Sequence, residues 1–106
     1  MTKITYSRDG LELQIKGHTG AAPTGEDVIC AWISALEQTL LKTLLEMQRE
    51  GDGKTEYEHD KPGWARIRFI PKPWVRITVT KYFDFVMTGL HLIAGLNPKN
   101  VEIEEE

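Results

Sequence analysis

A single cysteine, Cys30, is the whole thiol content of this sequence, and one thiol cannot close an internal disulfide. Stability must come from a packed core, and the cysteine usage suits a reducing compartment, the cytoplasm. No uninterrupted apolar run approaches the roughly 20 residues that a bilayer span needs. The opening residues, Met-Thr-Lys-Ile-Thr-Tyr, alternate in polarity as a strand does and carry no apolar stretch of an export signal; no membrane is expected. There is no basic surplus either: 13 Lys and Arg stand against 16 Asp and Glu, a formal charge of −3. Nucleic-acid binders carry the opposite balance, so no direct nucleic-acid partner is expected. Cys30, His18, His59 and His91 show no CxxC or HxxxH pairing, which excludes an ordinary metal site and leaves no cofactor implied. Gly17, Gly20 and Gly25 miss the GxGxxG spacing of a phosphate loop. Repeats, low-complexity tracts and linkers are absent too, so residues 1–106 read as one domain.

What is present is patterning. Residues 3–7 and 11–17 alternate as two strands, with Ile4 and Tyr6 in the first and Leu11, Leu13 and Ile15 in the second. Asp9-Gly10 between them is a favoured pair for a tight hairpin turn, because both central positions can take positive φ. From Asp27 to Glu50 the period becomes helical. Ile29, Ile33, Leu36, Leu40, Leu44 and Met47 form one row, and Val28, Ala31, Ala35, Thr39, Lys42 and Leu45 a second, which predicts a helix buried along much of its length. Gly51 and Gly53 end it. A second hairpin pairs 54–59 with 64–70 across Asp60-Lys61-Pro62-Gly63. On it Glu56 and Glu58 are expected to meet Arg66 and Arg68 in cross-strand ion pairs on the solvent side. Val75, Ile77 and Val79 would alternate as a strand, but Val75, Val79, Tyr82, Val86, Leu90 and Ile93 step by three or four, and length favours a helix over 76–95. Val101 and Ile103 read as a short C-terminal strand, and the acidic run Glu102 to Glu106, broken by Ile103, as its solvated end. The fold class is α+β, two-layer: a largely antiparallel sheet in the order β-β-α-β-β-α plus that strand, with two helices on one face.

The candidate chemistry sits in "GHTGAAPTGEDVIC", residues 17–30. A cysteine on an apolar helix is ordinarily a small buried hydrophobe, and a loop histidine is ordinarily solvated. Position supplies the alternative. With Asp27 as N-cap, the Cys30 sulfur lies in the first helical turn, where the helix dipole and unpaired N–H groups favour thiolate. With Thr24 as cap the helix starts earlier and Cys30 lies a turn deeper. His18 closes the second strand, so a return of the chain could bring imidazole to thiol, the minimum apparatus for thiol catalysis. Between them Thr19, Gly20, Ala21, Ala22, Pro23, Thr24 and Gly25 offer little side chain for anchoring and read as a mobile substrate flap. Trp32, Trp64 and Trp74 read as core or interface residues.

Gly17-His18-Thr19-Gly20, Gly25-Glu26-Asp27-Val28-Ile29-Cys30-Ala31 and Ser34-Ala35-Leu36 together resemble the signature of the ribosomal-processing cysteine protease family, Prp. Met87-Thr88-Gly89-Leu90 and Ile93-Ala94 resemble its second helix more weakly. The resemblance implies a small α+β homodimer with a Cys–His endopeptidase site. Its members remove a short N-terminal extension from a large-subunit ribosomal protein, and the substrate carries a hydrophobic, phenylalanine-containing N-terminal motif. It makes Cys30 the nucleophile, His18 the general base and acid, and Asp27 an orienting or capping group, with Gly17 and Ser34 nearby. Thr19 and Trp32 depart from the alanines of the family pattern. Phage and prophage homologues, which mature capsid or scaffold proteins, and a non-catalytic ribosome-associated binding protein are the alternative readings.

Overall fold

The period-two segments form strands and the period-3.6 segments helices throughout the computed structural model, which describes residues 1–17, 24–60 and 63–106. The elements are β1 (Thr2–Ser7), β2 (Glu12–Lys16), α1 (Thr24–Arg49), β3 (Gly53–Asp60), β4 (Trp64–Pro71), a 3-10 turn (Pro73–Val75), α2 (Arg76–Leu96) and β5 (Val101–Glu105). One five-stranded sheet runs in the order β3-β4-β2-β1-β5. Its pairings are antiparallel except β1 with β5, which is parallel. A parallel neighbour needs a crossover, and α2 supplies it by carrying the chain from β4 to β5.

Alternation gives the sheet one apolar face. Ile4, Tyr6, Leu13, Ile15, Ile67 and Phe69 are buried on it, and both helices cover them. From α1 come Ile29, Ile33, Leu40, Leu44 and Met47, and from α2 Val79, Phe83, Val86, Met87, Leu90 and Ile93. The opposite face is charged. In register across the second hairpin, Arg66 meets Glu58 at 2.9 Å and Arg68 meets Glu56 at 3.5 Å, and Arg66 also holds Glu12 at 2.7 Å. The expected cross-strand ion pairs are therefore present on the solvent side.

Four local expectations are corrected. The first turn is not a two-residue loop: Leu11 N–H donates to Arg8 at 3.3 Å, Gly10 N–H donates to the Ser7 hydroxyl, and positive φ falls on Leu11 (φ 50°). A left-handed leucine costs about 1–2 kcal/mol. Complete burial of this side chain offsets that with about 1.5–3 kcal/mol. Second, α1 begins at Thr24, ahead of Asp27, so the cap reading at Asp27 fails. Third, the outer row of α1 is not buried. Val28, Ala31, Ala35, Thr39, Lys42 and Leu45 face outward, because a helix on a sheet contacts it along one stripe. By length and mean hydropathy Val28–Arg49 would suffice to cross a bilayer, yet its isoleucine and leucine row is spent on the sheet. Fourth, on α2 it is Phe83 that is buried, while Tyr82 is half-exposed.

Phe83 stacks on Tyr6 with ring centroids 5.9 Å apart. The Tyr6 hydroxyl donates to Asp84 at 3.2 Å, and Arg8 grips the same carboxylate at 3.1 and 2.9 Å. The Arg8 hydrogen bond outweighs the desolvation that opposes it and, with the Arg8 charge, holds the Asp84 carboxyl below its usual range. Burial first, then the Asp84 charge, pushes the Tyr6 hydroxyl up. The Asp84 carboxyl thus binds its proton more weakly folded than unfolded. Its stabilisation is full at neutral pH and is lost as pH falls from about 4 through the lowered folded value. Asp84→Asn should lower Tm at pH 7, and the gap to the parent should close in strong acid; thermal unfolding across a pH series measures both.

Candidate active site

The helix-covered face ends where β2 and β3 finish and β1 and β4 begin. A cleft of about 210 Å³ opens there, floored by Ile15, Ile33 and Ala65. On the α1 wall Cys30, Ser34 and Glu37 line it. Their spacing of four and three places them on one stripe beside the buried row. Cys30 is half-buried, between buried Ile29 and Ile33.

The facing wall is β3 and the start of β4, with Tyr57, His59, Asp60 and Trp64. It is brought back by the end of α1. Gly51 (φ 86°) donates its N–H to Gln48, and Asp52 donates to Met47. These are the paired bonds of a Schellman cap, which reverses the chain so that β3 returns beside α1. Contacts mark the return: Thr55 Oγ1 donates to the Leu44 carbonyl at 3.1 Å, and the Tyr57 hydroxyl reaches Glu37 Oε2 at 3.5 Å. The Tyr57 and His59 rings stack at 5.2 Å and 25°. Burial first, then the Glu37 charge, keeps the Tyr57 hydroxyl above its ordinary value, so it remains a protonated donor at neutral pH.

Gly17 forms the third side. Its N–H donates to the Gly63 carbonyl at 2.9 Å, tying the end of β2 to the β3–β4 turn, and its carbonyl accepts from the buried Thr2 hydroxyl at 3.5 Å. Its φ of 98° is in the left-handed region, and a Cβ here would stand 2.2 Å from the Met1 carbonyl oxygen. No other residue type fits both constraints.

Of the residues given catalytic or supporting roles from the sequence, the cleft unites Gly17, Cys30 and Ser34. His18 and residues 19–23 of the expected flap lie outside the described residues, as does the side chain of Asp27. Thr24 and Gly25, expected in the flap, are in the first turn of α1. Cys30 is accordingly the seventh residue of the helix, so its sulfur is not in the first turn, and the unpaired N–H groups of the helix start lie behind it. None of the tryptophans is a core residue: Trp64 lines the cleft, and Trp32 and Trp74 are exposed, the latter under Lys72 at 5.6 Å. His91 lies away from the cleft and meets Glu105 at 2.7 Å.

Glu37, Tyr57, His59, Asp60 and Trp64 were not anticipated. The signal for Glu37 is its place seven residues after Cys30, two turns along the same stripe. Tyr57 and His59 share a strand face by period two, but nothing local says that this face returns to Cys30.

The family model for cysteine protease Prp matches residues 1–102. Solved structures share the fold. The crystal structure of SMU.848 from Streptococcus mutans superposes with a TM-score of 0.76 at 21% identity, covering 99% of this chain and 93% of that one. The essential ribosomal processing protease Prp from S. aureus, with a covalently linked product peptide, gives 0.78 at 14% identity over 100% of both chains. The same protease with a substrate peptide gives 0.72 at 17% identity, covering 99% of this chain and 97% of that one. Among curated protein sequences none matches.

The Gly17 geometry makes a prediction. Gly17→Ala should cost at least about 1–2 kcal/mol of stability, from the left-handed backbone alone, and urea unfolding measures it. Gly95→Ala is the control, because a Cβ at Gly95 meets nothing; it should leave stability unchanged or raise it.

Proposed function

Because the chain belongs to the cysteine protease Prp family, we propose that it is a cytoplasmic cysteine endopeptidase that removes a short hydrophobic N-terminal extension from a large-subunit ribosomal protein. The observation that carries this reading is the cleft itself. Its one thiol, Cys30, faces an open space whose other side includes Gly17, the residue bonded to His18. The peptide complexes of the S. aureus protease support a peptide as the occupant.

In this reading Cys30 Sγ attacks the scissile carbonyl carbon as His18 takes the thiol proton. The C–N bond breaks, His18 returns the proton to the departing amine, and a thioester remains on Cys30. Water, deprotonated by His18, attacks the thioester, and the thiol is regenerated. Asp27 orients the dyad, and Ser34, a turn beyond Cys30, offers a hydroxyl at the wall. Incubation with a synthetic peptide carrying the hydrophobic, phenylalanine-containing motif, followed by mass spectrometry, tests it. Cleavage should fall at least about a thousandfold in Cys30→Ala and in His18→Ala, the scale of losing one member of a catalytic unit. Cleavage that survives Cys30→Ala rules out thiol catalysis, and binding without cleavage by the parent marks a recognition protein instead.

The active form is a homodimer. Ile77 (76% exposed), Phe85 (78%), Leu92 (65%) and Leu96 (79%) make an apolar stripe on α2, and Trp32 (49%) stands on the outward face of α1. Between the helices a groove of about 520 Å³, with Leu40, Tyr82, Phe85 and Val86 on its walls, suits a second copy. Burying side chains of this size contributes about 1.5–3 kcal/mol each. Sedimentation should show a dimer that Phe85→Asp converts to monomer; a monomeric parent at micromolar concentration overturns the dimer.

A further inference from the structure

Beside the cleft, the outermost strand β3 has an edge that, among the described residues, is closed at one point and open at the next. The ladder bonds show which backbone groups face out. Phe69 N–H donates to Leu11 across to the β2 side, and the Gly63 carbonyl accepts from Gly17 on that same side. Odd-numbered residues of β4 therefore bond toward β2 and even-numbered ones toward β3, since backbone groups alternate sides along a strand. The register pairs Arg66 with Glu58 and Arg68 with Glu56, so Glu56 and Glu58 hold β4 while Thr55, Tyr57 and His59 turn their N–H and C=O groups outward. Thr55 is already closed: its N–H donates to the side chain of Gln48 on α1 at 2.6 Å. For the Tyr57 and His59 N–H groups there is no acceptor among the described residues. The side chains of the same two residues line the cleft that holds Cys30.

We propose that the open edge of β3 at Tyr57 and His59 receives the extended backbone of the peptide substrate as an added strand, which sets the register in which the scissile bond meets Cys30. This rests on the endopeptidase reading above and assigns the substrate's mode of recognition. Strand addition takes affinity from main-chain hydrogen bonds and specificity from alternate side chains. Every second substrate side chain turns to the helix-covered side, where Tyr57, His59 and Glu37 wait. The edge is continuous with the cleft, so a peptide seated on one reaches the other. A second copy of the chain is a poorer occupant, because self-pairing at this point brings the half-exposed Glu58 carboxylates of both copies together.

Backbone amide exchange by NMR on Cys30→Ala, without and with the synthetic phenylalanine-containing peptide, tests the assignment. In the free protein the Tyr57 and His59 N–H groups should exchange fast, and those of Glu56 and Glu58 slowly. The peptide should slow Tyr57 and His59 by about tenfold or more, the effect of a newly formed bond. N-methylation of the peptide at successive residues should weaken binding with a period of two, by about tenfold at each sensitive position. His59→Pro, which removes an outward N–H that β4 does not use, should weaken binding similarly while Glu58 stays protected. Cleavage by the parent without these signatures overturns the edge assignment and leaves the endopeptidase reading standing. Edge protection without cleavage does the reverse, and an absence of both binding and cleavage overturns both. Slow exchange at Tyr57 and His59 before peptide is added also overturns the edge assignment.

Discussion

The contact between one row of α1 and one face of the sheet determines where everything else can be. Ile29, Ile33, Leu40, Leu44 and Met47 lie on that contact, and the two surfaces differ in length. A helix of 26 residues is about 39 Å long at 1.5 Å per residue. The eight residues of β3 or β4 span about 26 Å at 3.3 Å per residue. The Schellman cap at Gly51 pins the C-terminal end of α1 to the start of β3, so the N-terminal part of α1 lies toward the other end of the sheet. The cleft lies at that end, between α1 and the sheet. Cys30 is set at the transition, flanked by buried Ile29 and Ile33 but with its own stripe facing the opening.

A second constraint lies in β4, which divides its backbone between two neighbours. Its odd residues hold β2, whose extension Gly17 is pinned to Gly63, and its even residues hold β3. The position of the chain entering His18 and the position of the Tyr57–His59 wall are thereby referred to the same strand. On the solvent face Arg66 repeats this bridge in side chains, joining Glu12 of β2 to Glu58 of β3. Exposed ion pairs contribute little stability singly. A single guanidinium spanning three strands nevertheless resists relative slippage of the two strands that border the cleft.

Sequence periodicity carried the architecture because burial here is one-sided. Each strand presents alternate residues to the helices, and the core row of α1, Ile29 to Met47, could be written down before any coordinates. The outer row misled for the opposite reason: Val28, Ala31 and Leu45 are apolar without being covered, and hydropathy does not tell an intramolecular face from an exposed one. Tyr82 and Phe83 are adjacent and both aromatic, so a step of three or four admits either, and packing against Tyr6 selects Phe83. The Asp9-Gly10 pair located the turn but not its geometry, since burial of Leu11 moved the left-handed residue outside the pair. At the site, the approach of Gly17 to Cys30 was legible because the two are close in sequence. The opposite wall was not, because Tyr57 and His59 reach Cys30 only through the reversal at Gly51 and the tertiary path of β3.

The same reversal accounts for a division in how the cleft is built. Cys30, Ser34 and Glu37 stand on a helix whose neighbouring row is buried against the sheet, so the thiol is carried by an element anchored through the core. Opposite them β3 is an outer strand, and outer strands are ordinarily protected against pairing with other chains. Here Gln48 closes Thr55, while Glu56 and Glu58 keep charge along the solvent face. Further along the strand the Tyr57 hydroxyl reaches Glu37 on α1, and the Tyr57 and His59 side chains line the cleft with Cys30. The thiol's wall and the outer strand that faces it are therefore brought together by one helix–strand pairing.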